Sequence, residues 1–215
     1  LLRKVRQRSC EGSLEARDHY RVLLRQEPAD EGRGVGVRTA EQPQEILAAA
    51  RRFDGAKLTF VRHGNVLRLD VARGLYEPSL IVFQGRYFLT LRNDMKGWVT
   101  ASDDGLQFAE PTPWLFDDGA ELGSYNTQAH WITHRDGLFL VYTRRGANND
   151  NVVRHRAPLF MAQVNPQKLV VMRATERELV PNKGAQLGNF AVVDVNELLA
   201  ELPDYRNGPY ADLRK

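Results

Sequence analysis

From residue 57 onward, apolar and polar positions alternate with a period close to two, in short runs broken by turn residues. This pattern predicts half-buried β-strands. The clearest case is 77–92, where Ser79-Leu80-Ile81-Val82-Phe83 and Arg86-Tyr87-Phe88-Leu89-Thr90-Leu91 flank Gln84-Gly85. Gly85 supplies the positive φ that a tight hairpin turn wants. A two-residue loop there sets Glu77 directly opposite Arg92, on one face at the open end of the hairpin. Upstream, 57–62 and 66–71 flank His63-Gly64-Asn65; downstream come a strand at 97–101, a turn at 102–105 and a short run ending near Leu115. A second unit repeats the order: 128–134 and 138–144 flank Asp136-Gly137, a type I′ signal, and a polar loop at 146–151 leads to strands at 152–164 and 169–174. A third unit opens at 188–195.

The ends read differently. Ser13 can cap a helix running to about Gln26, 44–53 is an Ala-rich helical stretch, and 27–38 is a loop by its Pro28, Gly32, Gly34 and Gly36. That loop lacks the entering strand and the Gly-Lys-Ser/Thr of a phosphate loop. Residues 197–202 turn helical again. The expected organisation is a helical and loop segment over 1–56, a β unit over 57–195 and a tail over 196–215. The β units recur at roughly the spacing of β-propeller blades. A propeller closes with about four to eight blades, and this chain supplies about two and a half. Its open edges are expected to be continued by further blades, paired with another copy, or covered by the terminal segments.

With 42% hydrophobic and 27% charged residues the chain has an ordinary globular composition. A net charge of +3 is too small to indicate a nucleic-acid partner. Arg greatly outnumbers Lys, which favours bidentate recognition of carboxylates, sulfates or phosphates. The lone Cys10 excludes an internal disulfide, and no run approaches the roughly 18 apolar residues of a membrane span. Leu1-Leu2-Arg3-Lys4 has neither an initiator Met nor a signal-peptide core, which reads as a start inside a longer or processed protein and leaves secreted, periplasmic and cytoplasmic locations open. The five His show no ligand spacing, so neither metal nor cofactor is expected.

Candidate chemistry lies at the strand ends. Glu77 and Arg92, beside Asn93, form either half of an anion site or a cross-strand ion pair, which when exposed contributes about 0–1 kcal/mol. In the second unit the Asp136-Gly137 turn places Gln128 opposite Arg145, His130 opposite Thr143 and Trp131 opposite Tyr142. His130 beside Arg145 is then an acid/base next to an anion clamp, or a packed blade residue. Strand alternation over Arg154-His155-Arg156 puts the two Arg on one face and His155 on the other, a grip for one anion or a solvated basic strand.

These residues resemble the sialidase family, six-bladed propellers that release sialic acids from glycans. Glu77 followed across a hairpin by Arg92-Asn93 is similar to the family's Glu on one strand and Arg before Asn on the next. Residues 101–108 resemble a degenerate Asp-box, with Asp103, Gly105 and Phe108 at its Asp, Gly and aromatic positions. Arg156-Ala157-Pro158-Leu159 matches another Arg before an outgoing strand, and Gly188-Asn189-Phe190 resembles the segment bearing the Tyr nucleophile, with Phe190 in the Tyr position. The resemblance implies an all-β, incomplete sialidase-like propeller acting on acidic carbohydrate. It would make Glu77 catalytic and Arg92, Asn93 and Arg156 substrate-binding; strand pairing and alternation add His130 as a catalytic candidate and Gln128, Arg145 and Arg154 as substrate-binding ones. A uronate lyase on the same fold, with Tyr125, His130, Tyr142, Arg144 and Arg145 as candidates, and a non-catalytic glycan-binding or assembly module are the alternatives.

Overall fold

The computed structural model describes residues 20–28, 44–135 and 137–192, the first of these segments as backbone only. They form three antiparallel sheets that follow one another along the chain. The first has the order β1-β2-β3, with β1 at Tyr20–Pro28, β2 at Gln44–Phe53 and β3 at Leu58–Leu67. The second has the order β4-β5-β6-β7, with β4 at Tyr76–Phe83, β5 at Arg86–Arg92, β6 at Gly97–Ser102 and β7 at Thr112–Pro113. The third holds β8 at His130–His134, β9 at Gly137–Tyr142, β10 at Leu159–Asn165, β11 at Val170–Val171 and β12 at Arg177–Val180. Its order is β11-β10-β9-β8, with β12 also pairing β10. No helix among the described residues is long and apolar enough to cross a membrane.

The described residues are all-β, which corrects the helices expected over 20–26 and 44–53. Tyr20–Pro28 and Gln44–Phe53 are paired strands, Tyr20 facing Arg52 and Pro28 facing Gln44. Ala is a strong helix former, but β2 is the central strand of its sheet. Ile46, Ala48 and Ala50 are buried against the second sheet, and tertiary burial overrides weak local propensity. The first sheet also runs across residues 56 and 57, where a change of structure was expected. The remainder of the predicted first helix, its Ser13 cap, the helix at 197–202 and Cys10 lie outside the described residues.

His63-Gly64-Asn65 is not a turn but the middle of β3, with register shifts on either side of its pairing to β2. A side chain at Gly64 would put its Cβ 1.9 Å from the Leu106 carbonyl oxygen, so only glycine admits this approach. Next to it the Asn65 amide acts as a backbone surrogate. Its Nδ2 donates to the Phe108 carbonyl (2.8 Å) and its Oδ1 accepts from the Phe108 N–H (2.9 Å), tying 106–108 to the first sheet.

The 102–105 turn forms as expected, with a different aspartate at its centre. Asp104 Oδ1 accepts from the Leu106 and Gln107 N–H groups at 2.8 and 2.7 Å, and Ser102 Oγ accepts from Gly105 N–H at 2.9 Å. Asp103 instead faces outward and pairs with Arg86. Those backbone bonds from Gln107 and Leu106 hold the Asp104 carboxyl below its ordinary range.

Two cores separate the three sheets. Ile46, Ala48, Ala50 and Leu67 pack against Leu89, Leu91, Leu106 and Phe108. Phe88, Val99 and Trp114 pack against Trp131, Leu140 and Phe160. Trp131 stands 5.6 Å from Trp114 and 6.2 Å from Phe88, ring centre to ring centre, and its Nε1 donates to the Ser79 carbonyl at 3.0 Å. The later expectations are corrected in part. The run at 152–164 is a strand only from Leu159, preceded by a 3₁₀ turn at Val153–His155. Residues 169–174 yield the two-residue β11 and part of a 3₁₀ turn at Arg173–Thr175. Residues 188–192 are not a strand.

Asn65→Ala orphans two backbone groups of Phe108 and is expected to cost about 2 kcal/mol in denaturant unfolding. For Asp104, a folded-state pKa below the unfolded 3.8 means that its contribution is complete above about pH 3.8 and is lost as pH falls through the folded value. The melting temperature of Asp104→Asn is therefore expected to fall less than that of the parent chain between pH 5 and about pH 3.

Candidate functional site

The 121–128 segment, which joins the second sheet to the third, meets two groups of charged side chains. On one side it lies against the end of β5: the Asn126 N–H donates to the Asn93 carbonyl at 3.4 Å and Gly97 N–H donates to Ser124 O at 2.7 Å. On the other, Arg145 N–H donates to Gly123 O at 3.0 Å, and Arg156 Nη2 donates to Asn126 O at 3.2 Å.

The β4–β5 register follows the Gln84-Gly85 turn from Phe83/Arg86 to Ser79/Thr90 and then shifts, so that Arg92 pairs with Tyr76 and not with Glu77. Glu77 adopts a left-handed φ of +51° at this bulge, a conformation that costs about 1 kcal/mol in a non-glycine residue. The displaced side chain still reaches Arg92. Arg92 Nε and Nη2 donate to the two Glu77 oxygens, both at 2.8 Å, in a bidentate pair. The guanidinium lies 4.3 Å from the Tyr76 ring centre, with Nη1 3.6 Å from Asp94. The Tyr76 hydroxyl donates to Asp94, which also accepts from Arg73 at 2.9 Å. Burial, and then the Asp94 hydrogen bond, push the Tyr76 phenol up to about 12. For Asp94, burial acts upward but is outweighed by the Tyr76 bond and the Arg73 charge, which hold its carboxyl below the usual range. Asn93 is buried, and its Oδ1 accepts from Met95 and Lys96 N–H, both at 2.8 Å, closing the turn into β6.

The third sheet departs from its expected register. His134 faces Gly137, Trp131 faces Leu140 and His130 faces Val141. The hairpin has slipped by two residues, because the turn begins at Arg135, whose φ is +49°. A slip of two preserves faces and changes neighbours. The half-buried His130 ring therefore stands edge-on to Phe190 at 5.1 Å, while Gln128 Nε2 donates to the Phe190 carbonyl at 3.3 Å. Arg145 leaves the β9 pairing: it donates to Met95 O at 2.6 Å, lies 3.3 Å from Glu121 and stacks 4.7 Å over the Tyr125 ring.

The expected alternation over Arg154-His155-Arg156 is also corrected. Arg154 and His155 take left-handed φ values of +57° and +52° in the 3₁₀ turn. Arg154 is exposed. His155 turns toward Tyr125, whose hydroxyl lies 2.5 Å from Nδ1, while Asp150 Oδ1 lies 3.2 Å from Nε2. The buried Asn149 pins this loop by donating from Nδ2 to the carbonyls of Arg144 and Ala157 at 2.9 and 2.7 Å. Sequence reasoning missed the Tyr125–His155–Asp150 set; the Asn148-Asn149-Asp150-Asn151 run was the available sign that the backbone there leaves the strand.

Arg156 lines a cleft of about 340 Å³ with Gln186, Leu187, Gly188, Asn189 and Phe190. Leu187 N–H donates to the Arg156 carbonyl at 2.7 Å, and a Cβ at residue 188 would come 2.7 Å from Arg156 Nη1, so glycine lets the strap lie across the guanidinium. Arg156 Nε is buried without a hydrogen bond, and Arg156 has no carboxylate partner among the described residues. Of the other candidates, Arg144 is clamped at 2.9 Å by Glu176, and Tyr142 is fully buried, which drives its phenol far above the ordinary range. No group of three or more potential metal ligands occurs among the described residues.

No family model and no curated protein matches the chain. Among solved structures it is similar to Trypanosoma rangeli sialidase in complex with sialic acid, at 12% identity and a TM-score of 0.37, over 67% of this chain and 21% of that one. The chain thus spans about a fifth of the length of that structure.

Glu77→Gln leaves Arg92 Nε and Nη2 with a single amide oxygen between them and is expected to lower unfolding free energy by about 1–3 kcal/mol, read from the denaturant midpoint. An unchanged midpoint would show that the pair is not holding the bulge.

Proposed function

We propose that the chain is part of a sialidase-like propeller that takes acidic carbohydrate, with the carboxylate of the sugar held by Arg156. The observation that carries this reading is the state of that one side chain. Arg92, Arg144 and Arg145 each face a carboxylate, whereas Arg156 sits in a cleft with none among the described residues. A partly buried guanidinium without a counter-charge is costly and is relieved by a ligand anion. The cleft, at about 340 Å³, is the size of a small-ligand site. Phe190 offers an apolar face for a sugar ring, Asn189 and Gln186 are neutral hydrogen-bonding groups, and exposed Arg154 adds positive charge nearby. The position of Arg156 before an outgoing strand, which resembles the sialidase arrangement, supports the same assignment.

In this reading Gln128 and His130 back the strap through Phe190, while Glu77, Arg92 and Asn93 shape the turn on which 121–128 rests. A non-catalytic glycan-binding module is the second reading, favoured by the engagement of both Glu77 oxygens with Arg92.

Calorimetric titration of the chain with sialic, glucuronic and galacturonic acids is expected to show binding that their neutral counterparts lack. Arg156→Gln should weaken it by about ten- to a hundredfold, the worth of a charge-assisted contact. Equal binding of neutral sugars, or an unaffected variant, would overturn the assignment.

A further inference from the structure

The contacts around the cleft come in adjacent pairs. Tyr125 meets His155 through its hydroxyl, and the next residue of each segment repeats the contact, Asn126 O accepting from Arg156 Nη2. A phenol–imidazole pair thereby lies one residue back along both segments from the Asn126–Arg156 bond, outside the residues that line the cleft. The tautomer is assigned from the partners: an ionised Asp150 only accepts, so Nε2 is given the proton of the neutral imidazole, and Nδ1 then accepts from the Tyr125 hydroxyl. Arg145, stacked 4.7 Å over the ring, and Asn149, which pins the 144–157 loop, fix the two partners in place. Tyr125 and His155 are both half-buried, the side chain of His155 being 21% exposed, so the pair is not a core contact.

We propose that Tyr125 and His155 are the acid–base pair of this site and that its reaction is β-elimination on a 4-linked uronate whose carboxylate is held by Arg156. The inference rests on the carboxylate-binding reading above. It is chosen over hydrolysis by two carboxyl groups, the commoner glycosidase arrangement, because the pair here is a phenol and an imidazole. The residues lining this cleft carry no carboxyl group, and both Glu77 oxygens are bound to Arg92. Elimination needs a cation on the carboxylate and one base. In the reaction, the Tyr125 phenol passes its proton to His155 Nδ1 while its oxygen takes the C5 proton. The C5–H electrons form the C4=C5 double bond and the C4–O bond breaks. The departing oxygen takes a proton from the phenol, which recovers its own from Nδ1. Both residues end as they began, and no water or co-reactant is consumed.

The test is incubation of the full chain with oligogalacturonate and with a 4-linked glucuronan oligosaccharide, followed by ultraviolet absorbance and product mass. The expected product is the unsaturated uronate. Tyr125→Phe, which keeps the ring under Arg145, should lower kcat by at least about a hundredfold with the oligosaccharide Kd within about twofold of the parent, and His155→Gln should do the same. A saturated, hydrolysed product, a Tyr125→Phe chain that retains kcat, or binding of both oligosaccharides without turnover would each overturn the elimination proposal and leave Arg156 as a carboxylate site. An Arg156→Gln chain that binds uronate as the parent does would overturn the underlying site as well.

Discussion

The middle sheet is covered on both faces, and the placement of its own charged side chains follows from that. Leu89 and Leu91 of β5 face the first sheet, Phe88 faces the third, and Trp114 and Trp131 fill the gap between the second and third sheets. With no solvent face available, charged residues of the second sheet emerge only where its strands end. Arg92 is the last residue of β5, and the turn through Asn93 to Lys96 carries the chain back into β6. The same crowding requires the Trp131 and Trp114 N–H groups to find partners, which they do at Ser79 O and Thr90 Oγ1.

Arginine-rich surfaces are common, and it is the distribution of counter-charges that distinguishes one guanidinium from another. Arg92 is held by Glu77, Arg144 by Glu176, Arg145 by Glu121 and Arg173 by Asp118. The first joins the two strands of one hairpin, and the other three join segments well separated in sequence. Arg156 is tied instead to a neutral carbonyl and crossed by the strap at 186–190. Chemical capacity for an anion follows from what remains after such neutralisation.

Much of the fold was legible because burial imposes a period. The second sheet, its Gln84-Gly85 turn and the pairing from Phe83/Arg86 to Ser79/Thr90 all follow from alternation and one glycine. The bulge at Glu77 did not, because Glu77-Pro78-Ser79 interrupts the apolar alternation and fits either register. The second hairpin slipped by two residues for a related reason: a two-residue slip conserves the face of every side chain, so the pattern could not detect it. Residues of β2 were illegible as strand because alanine carries helix propensity, and only the flanking strands β1 and β3 and the core beneath give it a reason to extend.

By itself the sequence determined that residues 77–102 form strands, that Glu77 and Arg92 come together, and that arginines before outgoing strands dominate the candidate chemistry. Side-chain chemistry and a period of two are local properties, readable residue by residue. Only the tertiary structure decided that Arg92 is occupied while Arg156 is not, and that His155 turns to Tyr125 while Phe190 packs on His130. Those outcomes depend on which distant loop reaches a given side chain first. That is set by the packing of whole sheets and by the left-handed residues between strands, neither of which is written in the neighbourhood of the residues they position.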